Sequence, residues 1–145
     1  MKVTPAILEI IASMEESRGE LVAELRSQVS ALPDVAERAV YDGFCREWTP
    51  AYYSGERQLF HIHNFRLGLR ATMFVGVRAL EPVILDSEEV PPELRLLVAK
   101  TSGPRGTKQV KVAIESQEDI DAFMRMVRVK WEALRPAGSN SRAKR

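Results

Sequence analysis

One cysteine, two histidines and no apolar run near the roughly 20 residues of a membrane-spanning helix set the first limits on this chain. Cys45 stands alone, which excludes an intrachain disulfide and agrees with a reducing, cytoplasmic setting. Charge of one sign is missing as well. The 21 basic and 20 acidic side chains leave a formal +1, so no whole-protein field draws the chain to nucleic acid or to an anionic membrane. Near the start, Glu9, Glu15 and Glu16 interrupt the apolar positions, which is not the pattern of a signal peptide. No serine or cysteine sits in a nucleophile elbow. The turn Gly103-Pro104-Arg105-Gly106-Thr107-Lys108 lacks phosphate-loop spacing and leads into a strand. Paired carboxylates are absent from the strand region, and Glu15-Glu16 and Glu88-Glu89 read as solvated charges. An enzyme is therefore not the expected reading, and no cofactor is implied.

What is present reads as a globular domain. The 145 residues, 45% apolar and 28% charged, fit one unit over 1–136, followed by a polar, basic tail over 137–145 expected to stay unfolded. Thr4-Pro5 suggests a helix start, and Ile7, Leu8, Ile10, Ile11 and Met14 give residues 5–16 helical spacing. Ser17 to Gly19 is expected to break it before a second helix over about 20–31, ended by Leu32-Pro33-Asp34. Strands are expected over 35–48 (one or two), 57–64 and 67–77, with a turn at Ser54-Gly55-Glu56. In the third, Leu67 to Val77 places apolar residues at every second position against Gly68, Arg70, Thr72, Phe74 and Gly76. Pro91-Pro92-Glu93 opens a short helix, Lys108 to Glu115 alternates as a strand, and Ser116 caps a last helix over about 117–134. Strands that adjoin without crossover helices predict α+β architecture. An antiparallel sheet would be packed by an N-terminal helix pair and a C-terminal helix.

The aromatic stretch with Trp48, Tyr52 and Tyr53, the strand LGLRATMFVGV, the helical VPPELRLLVAK and the closing KQVKVAIESQEDIDAFMRMVRVKW together resemble bacterial domains of unknown function with the YdhG-like fold. The resemblance covers about 20–132. It is closest in the final strand, the segment Ser116 to Ile120 and the helix that carries Lys130 near its end. It implies the fold and carries over no catalytic residue. Some relatives bear an iron-chaperone label, without a residue signature to transfer.

Two candidate sites follow from the residues. His61 and His63, two apart in a strand, share one face about 6–7 Å apart at the backbone and could chelate a metal. Cys45 and Glu47 would be the further ligands. Against this stands the plainer reading of two histidines hydrogen-bonded on a half-wet sheet face. Trp48, Tyr52, Tyr53, Phe60 and Phe65 concentrate the aromatics, and a concave face would let them line a pocket in which Arg46, Arg57 or Arg70 pairs with an anion. Their plainer role is core-edge packing or a homodimer surface. Arg125, Arg128, Lys130, Arg135, Arg142, Lys144 and Arg145 form a basic run, but Glu118, Asp119, Asp121 and Glu132 share the helix, so nucleic acid is not the expected partner. The expectation is a non-enzymatic domain that binds a small ligand or protein partner through its aromatic sheet face, with Trp48, Tyr52, Tyr53 and Arg70 in contact. A metal-binding or delivery protein using His61 and His63 is the alternative, and an enzyme of unrecognised type the third.

Overall fold

β-branched and aromatic residues in the middle of the chain build β1 (Val35–Asp42), β2 (Glu47–Ser54), β3 (Arg57–Phe65) and β4 (Gly68–Gly76), and β5 (Thr107–Ala113) follows later. The computed structural model describes residues 5–43 and 45–135. All five strands pair antiparallel in chain order, so the sheet is a meander with β1 and β5 at its edges. Helices α1 (Ile7–Ala12) and α2 (Glu16–Ser30) precede it, α3 (Glu81–Leu85) and α4 (Pro92–Lys100) link β4 to β5, and α5 (Gln117–Leu134) closes the chain. This is the α+β arrangement that the hydrophobic pattern predicts. Thr4 and the tail over 137–145 lie outside the described residues. Among the described residues no helix is long and apolar enough to cross a membrane.

The helices share one core with a single face of the sheet. Val22, Leu25 and Val29 of α2, Phe123 and Val127 of α5, and Val98 of α4 meet Ile62, Met73, Val75 and Val110 there. Alternation carries most of this: Leu69, Ala71, Met73 and Val75 face inward, as do Val110 and Val112. Leu67 is 93% exposed and falls outside the stripe, because it lies in the β3–β4 turn and not in a strand. The Ser116 hydroxyl accepts from the Asp119 N–H at 3.2 Å and caps α5, as its sequence predicts.

Three local expectations need correction. The break between the first helices falls at Ser13–Glu15, before Ser17–Gly19, and α2 runs straight through Gly19. Gly19 is there for contact: a Cβ on it would stand 3.0 Å from the Ile11 carbonyl oxygen of α1. The pattern returns to helix after Pro82 but places one only from Pro91; the structure adds α3 before it, because five residues opening on Glu81-Pro82 show too little periodicity to register. Cys45 lies in the turn between β1 and β2 and not in a strand. That turn closes through the Arg46 N–H on the Asp42 carbonyl at 2.7 Å, with Arg46 left-handed at φ 60°.

A half-buried polar cluster joins α2 to the sheet. The Arg26 guanidinium donates to both Glu37 carboxylate oxygens at 2.8 and 3.1 Å, and the Tyr52 hydroxyl donates to Glu37 at 2.8 Å. Burial and the Glu37 charge both hold the Tyr52 phenol far above its ordinary pKa. Glu37→Ala strips two donors of their acceptor and should lower unfolding free energy by about 2 kcal/mol in denaturant melts. Breaking the exposed Arg38–Glu56 pair with Arg38→Ala should cost less than about 0.5 kcal/mol.

Candidate functional site

The sheet face turned away from the helices carries the chain's only histidines. Strand parity puts His61 and His63 of β3 beside Thr72 and Phe74 of β4, while the antiparallel register brings Asp42 of β1 and Tyr53 of β2 to the same side. A bulge completes the set. Tyr52 pairs with Phe60 and Tyr53 with Gln58, so Leu59 is an extra residue in β3. Leu59 and Phe60 both turn into the core, and Gln58, three residues from His61, joins it on the outer face.

These side chains form one hydrogen-bonded line. The Gln58 amide nitrogen donates to the Tyr53 hydroxyl at 3.3 Å, which leaves the amide oxygen for His61 Nδ1 at 2.6 Å. That oxygen can only accept, so with this amide orientation His61 carries its proton on Nδ1 and offers a lone pair at Nε2. His61 Nε2 faces His63 Nε2 at 3.1 Å, and His63 must supply the proton between them. His63 Nδ1 then accepts from the Thr72 hydroxyl at 2.9 Å. The Asp42 carboxylate lies 3.1 Å from His63 Nε2 as a competing acceptor for the same proton.

Electrostatics keep both rings neutral at pH 7. Burial, and His63 alongside, push the His61 pKa down to about 4 against the pull of Asp42. Burial also lowers His63, with Asp42 opposing and Lys111 assisting. The Cys45 thiol is pushed up to about 11 by burial, by its hydrogen bond to Asp42 and by the Asp42 and Glu47 charges. It stays a thiol at pH 7 and is a poor nucleophile.

Above this line lies a recess of about 330 Å³ lined by Val40, Asp42, Thr49, Tyr53, Gln58, His61, His63, Phe74 and Gln109, among others. The Phe74 ring lies 5.5 Å from the His61 ring, and Arg38 covers Tyr53 at 4.5 Å. The Thr49 hydroxyl is committed to the Ile62 carbonyl.

The four expected ligand contacts do not come together. Tyr53 lines the recess. Tyr52 is fully buried against Phe60 in the core. Trp48 turns with Tyr41 toward α1 and lines a separate groove of about 460 Å³. Arg70 stands at the β3–β4 end, folded over Gly68, with its guanidinium donating to the Leu69 carbonyl. The arginines are dispersed likewise, Arg46 at the α1 groove and Arg57 at a third recess. His61 and His63 do meet. Among the described residues, though, no group of three or more His, Cys, Asp or Glu is arranged to hold a metal ion. The sequence reading missed Asp42 and Gln58. Register pairs β1 with β3 only through β2, and the bulge reverses the parity of Gln58. Compared with family models, with curated proteins and with solved structures, the chain finds no match. The site is therefore read from its own geometry.

Proposed function

We propose that this chain is a small-ligand binding domain whose site is the recess on the helix-free face of the sheet. The observation that carries this is the line Gln58–His61–His63–Thr72 beneath an open cavity. Two imidazoles, 9% and 8% exposed, lie where apolar side chains would be cheaper to bury. Their satisfied network fixes both tautomers and holds them ready for a ligand that competes for the central proton. Phe74 and Tyr53 supply rings to stack on, so the ligand class is a small planar heteroaromatic compound of one or two rings. The α+β resemblance to YdhG-like domains supports the fold and adds no reaction. A dimer, the other expectation, would pair through the eight-residue edge strand β1.

The test is a set of one- and two-ring heteroaromatic fragments followed by NMR through the ring carbons of His61 and His63. At least one fragment should shift both signals with Kd below about 1 mM, an affinity worth about 4 kcal/mol. Thr72→Val, which removes the donor to His63 Nδ1, should weaken that binding by about tenfold. If no fragment moves both rings, the proposal fails. Zinc and ferrous ions in the same titration address the metal alternative, since the facing Nε2 atoms are spaced for two ligands of one ion. A submicromolar, histidine-dependent metal site would replace the reading offered here.

A further inference from the structure

Helix α5 buries Ile120, Phe123, Met124 and Val127 as an amphipathic helix should, yet the same inner surface includes Lys130, 6% exposed. A buried lysine is ordinarily paired with a carboxylate. Lys108 shows that pattern in this chain. Its ammonium meets Glu81 and caps the last carbonyls of α4 at Val98 and Ala99. Lys130 differs. Among the described residues its only hydrogen bond runs from Nζ to the Phe74 carbonyl at 2.6 Å, and none of their carboxylates lies at ion-pair distance.

Lys130 also lines a recess of about 420 Å³ at the end of the sheet, which adjoins the histidine recess through Gln58 and Phe74 but contains neither histidine. The remaining lining from β3, β4, β5, α5 and the turn that precedes α3 is apolar or neutral except for Arg57, the one other ionisable side chain there among the described residues. An amine desolvated in such a pocket beside a second cation is the arrangement that activates lysine toward carbonyl compounds. We propose that this recess is a covalent binding site for small 2-oxo carboxylates, in which Lys130 Nζ condenses with the carbonyl carbon while Arg57 pairs with the carboxylate.

The chemistry balances without a further reactant. The neutral Nζ attacks the carbonyl carbon, a C–N bond forms, and the oxygen takes up a proton to give a carbinolamine. Loss of that oxygen as water leaves the imine. The protonated imine keeps one N–H, which the Phe74 carbonyl accepts in place of the ammonium proton. Burial and Arg57 lower the Lys130 pKa to about 8, so a useful fraction of the amine is free at neutral pH.

Glyoxylate with cyanoborohydride, limiting and on the wild-type chain, tests this by trapping the imine as a carboxymethyl-lysine mapped by peptide mass spectrometry. Lys130 should be labelled at least about tenfold faster than exposed Lys100, with a rate that rises with pH and levels above about 8. Propanal, which lacks the carboxylate, separates the role of Arg57. The glyoxylate-to-propanal rate ratio at Lys130 should fall at least about fivefold in Arg57→Leu, a ratio that cancels any change in amine protonation. Labelling of Lys130 no faster than Lys100 would overturn the proposal. An unchanged ratio in Arg57→Leu would overturn its choice of an anionic substrate.

Discussion

Val112→Asp is expected to leave the chain unfolded at neutral pH. Val112 is 5% exposed on β5, opposite Ala71 of β4, with its side chain in the core that α5 closes through Phe123 and Val127. The core at this point is apolar, so an aspartate there carries its charge uncompensated or takes up a proton to avoid it. Either route costs several kcal/mol, comparable with the roughly 5–15 kcal/mol that holds a domain of this size together. Ala113→Asp is the matched control. It lies one residue on, exposed on the other face, and should cost less than about 1 kcal/mol. Circular dichroism melts of both variants decide the matter. A cooperative transition in Val112→Asp near the wild-type temperature would mean that the faces of β5 are assigned the wrong way round.

The second large effect is a loss of stability in mild acid that belongs to the histidine line. In the unfolded chain an imidazole titrates near its ordinary pKa of about 6.5, whereas folded His61 titrates at about 4. Between those values the unfolded state binds more protons, so its contribution to stability is complete above about pH 6.5 and is lost as pH falls toward 4. For His61 the loss is on the order of 2 kcal/mol once its residual solvent contact is allowed for. His63, lowered in the same direction, adds to it. Urea unfolding at pH 7, 6 and 5, followed by tryptophan fluorescence, should show the decline. The double variant His61→Phe, His63→Leu should flatten it, because neither residue can then take up a proton. Equal slopes in the two proteins would show that the imidazoles are not held neutral by the fold.

Several features were legible in the sequence because they depend on residues close together along the chain. Alternation in β4 and β5, the Gly55 turn with its φ of 62°, the Ser116 cap and the helical spacing of Ile120, Phe123 and Val127 are all short-range patterns. The sharing of one face by His61 and His63 is of the same kind, since a two-residue step in a strand needs no partner to define it. The sequence by itself determined the α+β class, the inward faces of β4 and β5 and the sharing of one face by these two rings.

Tertiary structure alone decided what surrounds them. Asp42 reaches His63 because two hairpins set the register of β1 relative to β3, and no local pattern encodes a distance across an intervening strand. The Leu59 bulge moves Gln58 to the side of His61, against the parity that its position implies. Trp48, Tyr52 and Tyr53 look like one aromatic cluster in the sequence, yet alternation sends Tyr53 to the open recess and the other two to the opposite face, where Tyr52 enters the core and Trp48 lines the groove beside α1. Lys130 reads as one of a basic run on the last helix. Only packing of α5 across the sheet shows that this amine is buried, shares its recess with Arg57 and, among the described residues, has no carboxylate at ion-pair distance. Side-chain periodicity is a property of one element, whereas burial and charge pairing belong to the contacts between elements, which exist only once the chain has folded.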